Sequence, residues 1–313
     1  MSLITHPRLE LDEAGSNVAR HTIDWADSLS VQPLANRHES EVLAFLAERP
    51  LHTVVMAGHI RDNGLESSFN RGTFHACRDG SGRLEGVALI GHATLVETRS
   101  EASLAAFARL ARTAPQAHLI MGEQEKIERF WKYYADVGQQ PRRVCRELLL
   151  EQRWPVEARA AVTGLRLATL AELEPVMRIQ GEMACAESGV NPLEVDPVGF
   201  RERCARRIKQ GRVWVWREGG RLLFKADVIS DTPEVIYVEG VHVNAEERRK
   251  GYGARCLSQL SQTLLARTGA LCVLVNERSL GARAFFERAG YRLRGCYDTV
   301  FLDRQSLRTD ALI

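Results

Sequence analysis

The sequence predicts an α/β (α+β) fold in which a mixed, mostly antiparallel central sheet is flanked by helices. Three stretches carry that reading. Val241-His242-Val243-Asn244-Ala245-Glu246-Glu247-Arg248-Arg249-Lys250-Gly251-Tyr252-Gly253 takes an apolar strand into a short polar turn, and Arg248-x-x-Gly251-x-Gly253 opens a helical pattern. Residues 270–275 form a continuous apolar run, short enough for a strand buried on both faces. Residues 212–216 and 222–229, joined by Glu218-Gly219-Gly220, read as a hairpin.

The elements follow in order along the chain. Strands are predicted at 72–77, 86–90 and 93–97, the first two joined through Asp79-Gly80-Ser81-Gly82. A helix at 102–111, a strand at 117–121 and a helix at 123–134 complete the first half. Pro155 and mixed charges then break the apolar periodicity between 150 and 159, which sets two domains at 1–152 and 160–313. A chain of 313 residues also exceeds the usual size of a single core. Beyond the junction come a strand at 165–169, helices near 170–186 and 196–209, the hairpin, and a fourth strand at 235–243. Leu257, Leu260 and Leu264 mark one buried face of a helix that stops near Gly269. After the strand at 270–275 and a second helix, residues 292–302 supply the last strands. The first half echoes the core order of the second in fainter form.

Composition narrows the function. A net charge of +2 gives no general drive toward nucleic acid or membrane, so the basic cluster at 248–250 is local. Trp131-Lys132-Tyr133-Tyr134 reads as a helix face packed on a sheet rather than a base-stacking surface. The seven cysteines are scattered without C-x-x-C pairing, which argues against a disulfide framework or a zinc site. His75 and Cys77 alternate on one strand face with no further ligands nearby, so no metal is expected. The start, Met1-Ser2-Leu3-Ile4-Thr5-His6-Pro7, lacks a basic region followed by an apolar core, and no apolar run reaches membrane-span length. A cytoplasmic protein is expected.

Glycines at the turn after 243 let consecutive N–H groups point at one spot, and the helix behind them adds unpaired donors and its positive dipole end. With Arg248, Arg249 and Lys250 beside it, the turn suits phosphate. A P-loop needs Gly-Lys-Ser/Thr, and a dinucleotide fingerprint needs a third glycine where Cys256 stands. The pattern instead resembles the acyl-CoA pyrophosphate loop of the GCN5-related N-acetyltransferase (GNAT) superfamily, Gln/Arg-x-x-Gly-x-Gly/Ala. A second motif follows: Asn276-x-x-Ser279-x-x-Ala282-Arg283-x-x-Phe286-x-x-x-Gly290-Tyr291 is similar to the family's Asn-x-x-Asn-x-x-Ala-Arg-x-x-Tyr-x-x-x-Gly-Phe. Both motifs stand in the family's order, and the resemblance spans about half the chain. The plan as a whole resembles two-domain bacterial members with a degenerate N-terminal acetyltransferase-like half.

The resemblance implies an N-acetyltransferase that passes an acetyl or short acyl group from acetyl-CoA to a primary amine by direct attack. It implies pyrophosphate binding at Arg249, Lys250, Gly251, Tyr252, Gly253 and Ala254 beside Arg248. It also implies contacts along Val241, His242 and Val243, and from Asn276, Ser279, Ala282, Arg283 and Phe286. The acceptor is a small-molecule or peptide amine. The family's acid, a Tyr, is Phe286 here; a thiol pKa of about 8.5 lets a thiolate leave without full protonation. Ser279 stands as an assisting group through water or as a helix cap.

Strand alternation puts Glu239 on one face with Val241 and Val243, subject to a bulge at Gly240, and makes it the candidate base. His242 is expected on the opposite face, and Tyr237 is a weaker choice. Glu182, Glu187, Glu194 and Asp196 form either an acidic rim for a cationic amine or a solvated loop. Two function classes stay open, an N-acyltransferase and a catalytically impaired acyl-CoA-binding sensor.

Overall fold

The computed structural model of this chain describes residues 29–135 and 138–303. The reading of the first seven residues lies outside them. The first half contains β1 (Ser30–Pro33), α1 (Glu39–Leu46), α2 (Pro50–Asn63), β2 (Gly72–Arg78), β3 (Leu84–Gly91), β4 (Ala93–Thr98), α3 (Glu101–Ala111), β5 (Leu119–Glu123), α4 (Gln124–Tyr134) and β6 (Pro141–Gln152). The second half contains β7 (Leu165–Leu167), α5 (Leu173–Ser188), α6 (Pro192–Val195), α7 (Pro197–Lys209), β8 (Val213–Glu218), β9 (Arg221–Asp231) and β10 (Val235–Val243). It closes with α8 (Tyr252–Leu265), β11 (Ala270–Asn276), α9 (Leu280–Arg288) and β12 (Arg292–Leu302).

All strands join one mixed, mostly antiparallel sheet in the order β1-β2-β3-β4-β5-β12-β6-β11-β10-β9-β8-β7. The middle of that order is an exchange. β12, the last strand of the second half, pairs with β5 of the first through Tyr297↔Glu123 to Phe301↔Leu119. β6, the last strand of the first half, pairs with β11 of the second through Leu271↔Gln152 to Asn276↔Glu147. The two exchanged strands then pair with each other along nearly their whole length. Leu148 and Leu150 of β6 sink into the core formed by the second half, with Val273 and Val275. On the opposite face, Leu149 meets Val54 of α2, Tyr237, Cys272 and Tyr297.

Three features differ from the sequence reading. Residues 292–302 form a single long strand, and β6 occupies the segment read as the approach to a junction. The helices α1 and α2 were not anticipated. α2 buries Val54, Met56 and Ile60 but also Thr53 and Gly58, so it has no single apolar stripe for periodicity to reveal. Met56 and Ile60 pack in the N-terminal core, while Val54 packs in the cluster with Tyr237 and Cys272. Gly58 lies against Ser230 so tightly that an added Cβ would sit 2.5 Å from the serine Cβ. Among the described residues no helix is long and apolar enough to cross a membrane, and all seven cysteines are unbridged, five of them buried.

Leu150 is completely buried in a core that its own half does not own. Leu150→Ala is therefore expected to cost about 2–5 kcal/mol. Both halves should unfold together, so that circular dichroism and tryptophan fluorescence report coincident denaturant transitions. Separate midpoints for the two probes would contradict a shared sheet.

Candidate active site

The parallel pairing of β10 with β11 covers only Val235↔Ala270, Ile236↔Leu271 and Tyr237↔Cys272. Beyond Tyr237 the strands part, while β11 continues on β6 and β10 continues on β9. A bulge holds the gap open. Gly240 has φ +61°, and the register with β9 jumps between Glu239↔Asp227 and His242↔Lys225. An added Cβ on Gly240 would come within 2.8 Å of Lys225 Nζ. Lys225 is fully buried and donates to the Gly240 carbonyl at 3.4 Å and to Gln180 Oε1 at 2.7 Å. Its charge is balanced by Asp227 at 2.9 Å, which Arg207 also reaches at 3.2 Å. A buried ion pair thus satisfies backbone that the bulge removes from the ladder.

The bulge corrects one expectation. Asp227 and Lys225 lie two residues apart on β9, so their partners Glu239 and His242 share a face. Val241 and Val243 pack instead into the core beneath α8 and α9. The Asn244 amide donates to Leu223 O at 2.9 Å. By alternation the Val243 amide therefore points to the open edge, a position suited to polarising a thioester carbonyl. His242 is half-buried; burial, then Arg248 and Lys225, push its pKa down and favour neutral imidazole.

Glu239 is half-buried and bonded to Tyr237; burial raises its pKa, against the pull of Arg207. Its charge acts on two further glutamates. Glu147 of β6 is 8% exposed and accepts a hydrogen bond from Thr299 Oγ1 at 2.6 Å. Burial, with Glu239 and Asp298 adding repulsion, brings it to about 7. Glu187, at the end of α5, is displaced upward by desolvation and by Glu239 and Glu147, though its side chain stays exposed and water limits the effect. Of the four acidic residues expected around the connection after α5, Glu187 joins Glu239, and Glu182 is close enough to act on His242. Glu194 instead bonds Asn191, and Asp196 caps α7 and pairs with Arg203. Lys225, Asp227 and Glu147 were not singled out from the sequence. Lys225 and Asp227 sat in a strand read only as a hairpin arm, and Glu147 lies in the other half.

The glycine turn has the shape an anion needs. Arg249 and Gly251 are left-handed, with φ +63° and +83°, and α8 starts at Tyr252 without a side-chain cap. Its first amides therefore face outward. Gly253 is required for packing, since a Cβ there would lie 2.8 Å from Val243 Cγ2. Arg248 Nε donates to Val243 O at 3.1 Å, Lys250 pairs with Glu247 at 3.1 Å, and Arg249 is exposed. Tyr252 packs edge-on against Trp216, and Ala254 is half-buried in the first turn. These residues fit a pyrophosphate.

In the second motif, the Asn276 side chain accepts from the Arg278 amide at 3.0 Å and its carbonyl from the Ser279 amide at 2.8 Å. Ser279 holds the N-cap position of α9, but its hydroxyl makes no capping bond, contrary to that reading. Ala282 packs on the core and Arg283 pairs with Glu287 at 2.8 Å. Phe286 is buried edge-on against Phe285 and Tyr291.

The first half has a similar divergence, with β4 and β5 paired only at Ala93↔Leu119 and Thr94↔Ile120. Glu97 is the fifth residue of β4, as Glu239 is of β10. Here the carboxylate is neutralised, by Lys126 at 2.7 Å and Arg49 at 3.0 Å, and the two cations also bind Glu123. Among the described residues no group of three or more His, Cys, Asp or Glu is placed to hold a metal ion.

Residues 181–291 match the model of the Acetyltransferase (GNAT) family. No curated protein matches the chain in sequence. Solved structures share its fold at low identity. A Drosophila protein aligns at TM-score 0.66 and 11% identity, over 88% of this chain and 99% of its own. A GNAT-family acetyltransferase from Colwellia psychrerythraea aligns at 0.55 and 10%, over 88% and 100%. A tandem GNAT protein from the clavulanic acid biosynthesis pathway aligns at 0.55 and 14%, over 87% and 98%. The glycine turn, the parted strands and the family match converge on the same segment, and it is over residues 181–291 that this chain matches the GNAT acetyltransferase family.

Proposed function

We propose that the C-terminal half transfers an acetyl or short acyl group from acyl-CoA to the primary amine of a small molecule or peptide. The observation that carries this is the gap between β10 and β11, with a left-handed glycine turn at one end and, at its bulge, a carboxylate, Glu239, that has no ion-pair partner among the described residues. Residues 249–254 hold the pyrophosphate through their amides. The thioester supplies the activated acyl group, and the Val243 amide faces its carbonyl oxygen. Glu239 receives a proton from the amine, which is protonated at neutral pH with a pKa near 10.4 for a lysine-like group. The CoA sulfur leaves as a thiolate, because Phe286 carries no acidic hydrogen.

The first half binds no second CoA in this proposal. It has no glycine turn before α3, and Lys126 lies in the place beside Glu97 that an amine takes beside Glu239. Titration calorimetry should give one CoA per chain for the wild type and no measurable binding for Gly251→Asp, whose left-handed backbone disfavours the new side chain and whose carboxylate repels phosphate. Two sites per chain, or wild-type affinity in the variant, would refute the assignment.

Glu239→Gln should lower kcat for an accepted amine by about 10²–10⁴-fold and leave CoA affinity nearly unchanged. Because burial lifts the Glu239 pKa, wild-type kcat/KM should climb with pH at values above the ordinary carboxylate range. Full activity of the variant across pH 6–9 would move the base elsewhere.

A further inference from the structure

The strand exchange has a chemical result at the acyl-transfer site. β6 enters the sheet of the second half so that Glu147 lies opposite Asn276 at the end of β11, four residues beyond Cys272, the last residue of β11 that pairs with β10. Its side chain shares a face with Cys145, and the Cys145 thiol donates to the Glu187 carbonyl oxygen at 3.7 Å. Glu147 has no cation within ion-pair distance among the described residues, and neither have Glu187 and Glu239. The basic groups that pair nearby are committed elsewhere, Lys225 and Arg207 to Asp227 and Arg146 to Asp298.

The reaction itself requires more than one proton acceptor. An ammonium acceptor loses one proton before its nitrogen can attack the thioester carbon. As the C–N bond forms and the C–S bond breaks, the nitrogen loses a second proton on the way to the amide. With the sulfur leaving as a thiolate, both protons must pass to the protein or to water. A single buried carboxylate accepts one.

We propose that Glu147, carried into the site by the exchanged strand of the first half, shares the acceptor's protons with Glu239, so that the transferase site is built from both halves. This rests on the acyl-transfer reading above. Glu147 acts through Glu239 as its proton-sharing partner, and the pair titrates as one unit. Glu147 lies opposite Tyr297 and bonds Thr299 of β12, and the groups that interact with its charge are Glu239 and Tyr237 from β10, Glu187 from α5 and Asp298 from β12. Cys145 and Arg143 share its own strand. The two carboxylates repel each other. The Thr299 hydroxyl favours the ionised form of Glu147.

The test is the pH profile of kcat/KM of the full chain toward an amine that the wild type acylates. Glu147→Gln removes the repulsion, so the remaining carboxylate ionises earlier and the rising limb moves to lower pH. kcat should fall roughly hundredfold, the lower end of the range for general-base help. Glu147→Asp should recover part of the rate. Thr299→Val, nearly isosteric, keeps the carboxylate but removes its hydrogen bond, and should move the limb to higher pH. Opposite shifts from the two variants support proton sharing, and Thr299→Val carries the test if Glu147→Gln does not fold. Unmoved limbs in the folded variants would overturn the proposal while leaving acyl transfer intact. A wild type that acylates no amine of a broad panel would instead overturn acyl transfer, and this proposal with it.

Discussion

Two neighbouring strands cannot both complete their hydrogen-bond ladder and make room for a third chain of atoms between them. In this protein β10 and β11 stop pairing at Tyr237 and Cys272. The groups left over are satisfied by other partners. β11 passes to β6, β10 stays on β9, and the bulge carbonyl of Gly240 is met by the ammonium of Lys225. Because the protein interior is a poor solvent for charge, that ammonium brings Asp227 and Arg207 with it. The polar floor of the site thus follows from the need to hold an open seam in a closed sheet. The glycine turn at its end uses the same freedom, since only backbone that leaves the ladder presents its amides to a ligand.

Much of this was legible in the sequence, for reasons that differ between elements. The turn at 248–253 could be read because its two glycines have distinct duties, one conformational and one steric, and both are written in residue type. The strand 270–276 could be read because its continuous apolar run is buried on both faces, and 213–218 because a Gly-Gly turn marks its hairpin. α2 could not. A helix wedged between two clusters has apolar residues on several sides, and its periodicity is lost even though its burial is high. The role of β6 was also hidden, since the pairing of residues 147–152 with 271–276 is a long-range fact that no local pattern states.

At the site, alternation put Glu239 on one face with Val241 and Val243 and His242 on the other, and the structure instead brings Glu239 and His242 to one face. A single inserted residue at Gly240 reverses the facing of everything after it, so alternation gives the wrong side for a reason that alternation itself predicts. Glu147 illustrates a different limit. Its importance comes from neighbours 40 or more positions away in the chain, and a glutamate in a strand of the first half looks like any exposed carboxylate until the sheet is assembled. The comparison of Glu97 with Glu239 shows how one strand position can serve opposite ends, an ion-paired structural carboxylate in one half and, in the other, one with no ion-pair partner among the described residues.

The exchanged strands also govern how the chain can be made. β5 exposes its outer edge as soon as it emerges, and the strand that covers it, β12, starts at Arg292. At ribosomal speeds of about 5–20 residues per second the gap between Glu123 and Arg292 lasts roughly 10–30 s. During that interval the first half presents an unpaired strand edge, the feature that recruits foreign strands and seeds aggregation. β6 pairs with β12 along nearly its whole length, so it also lacks its main partner until then. Closure of the sheet is therefore a single late event, in which β12 seals both halves at once.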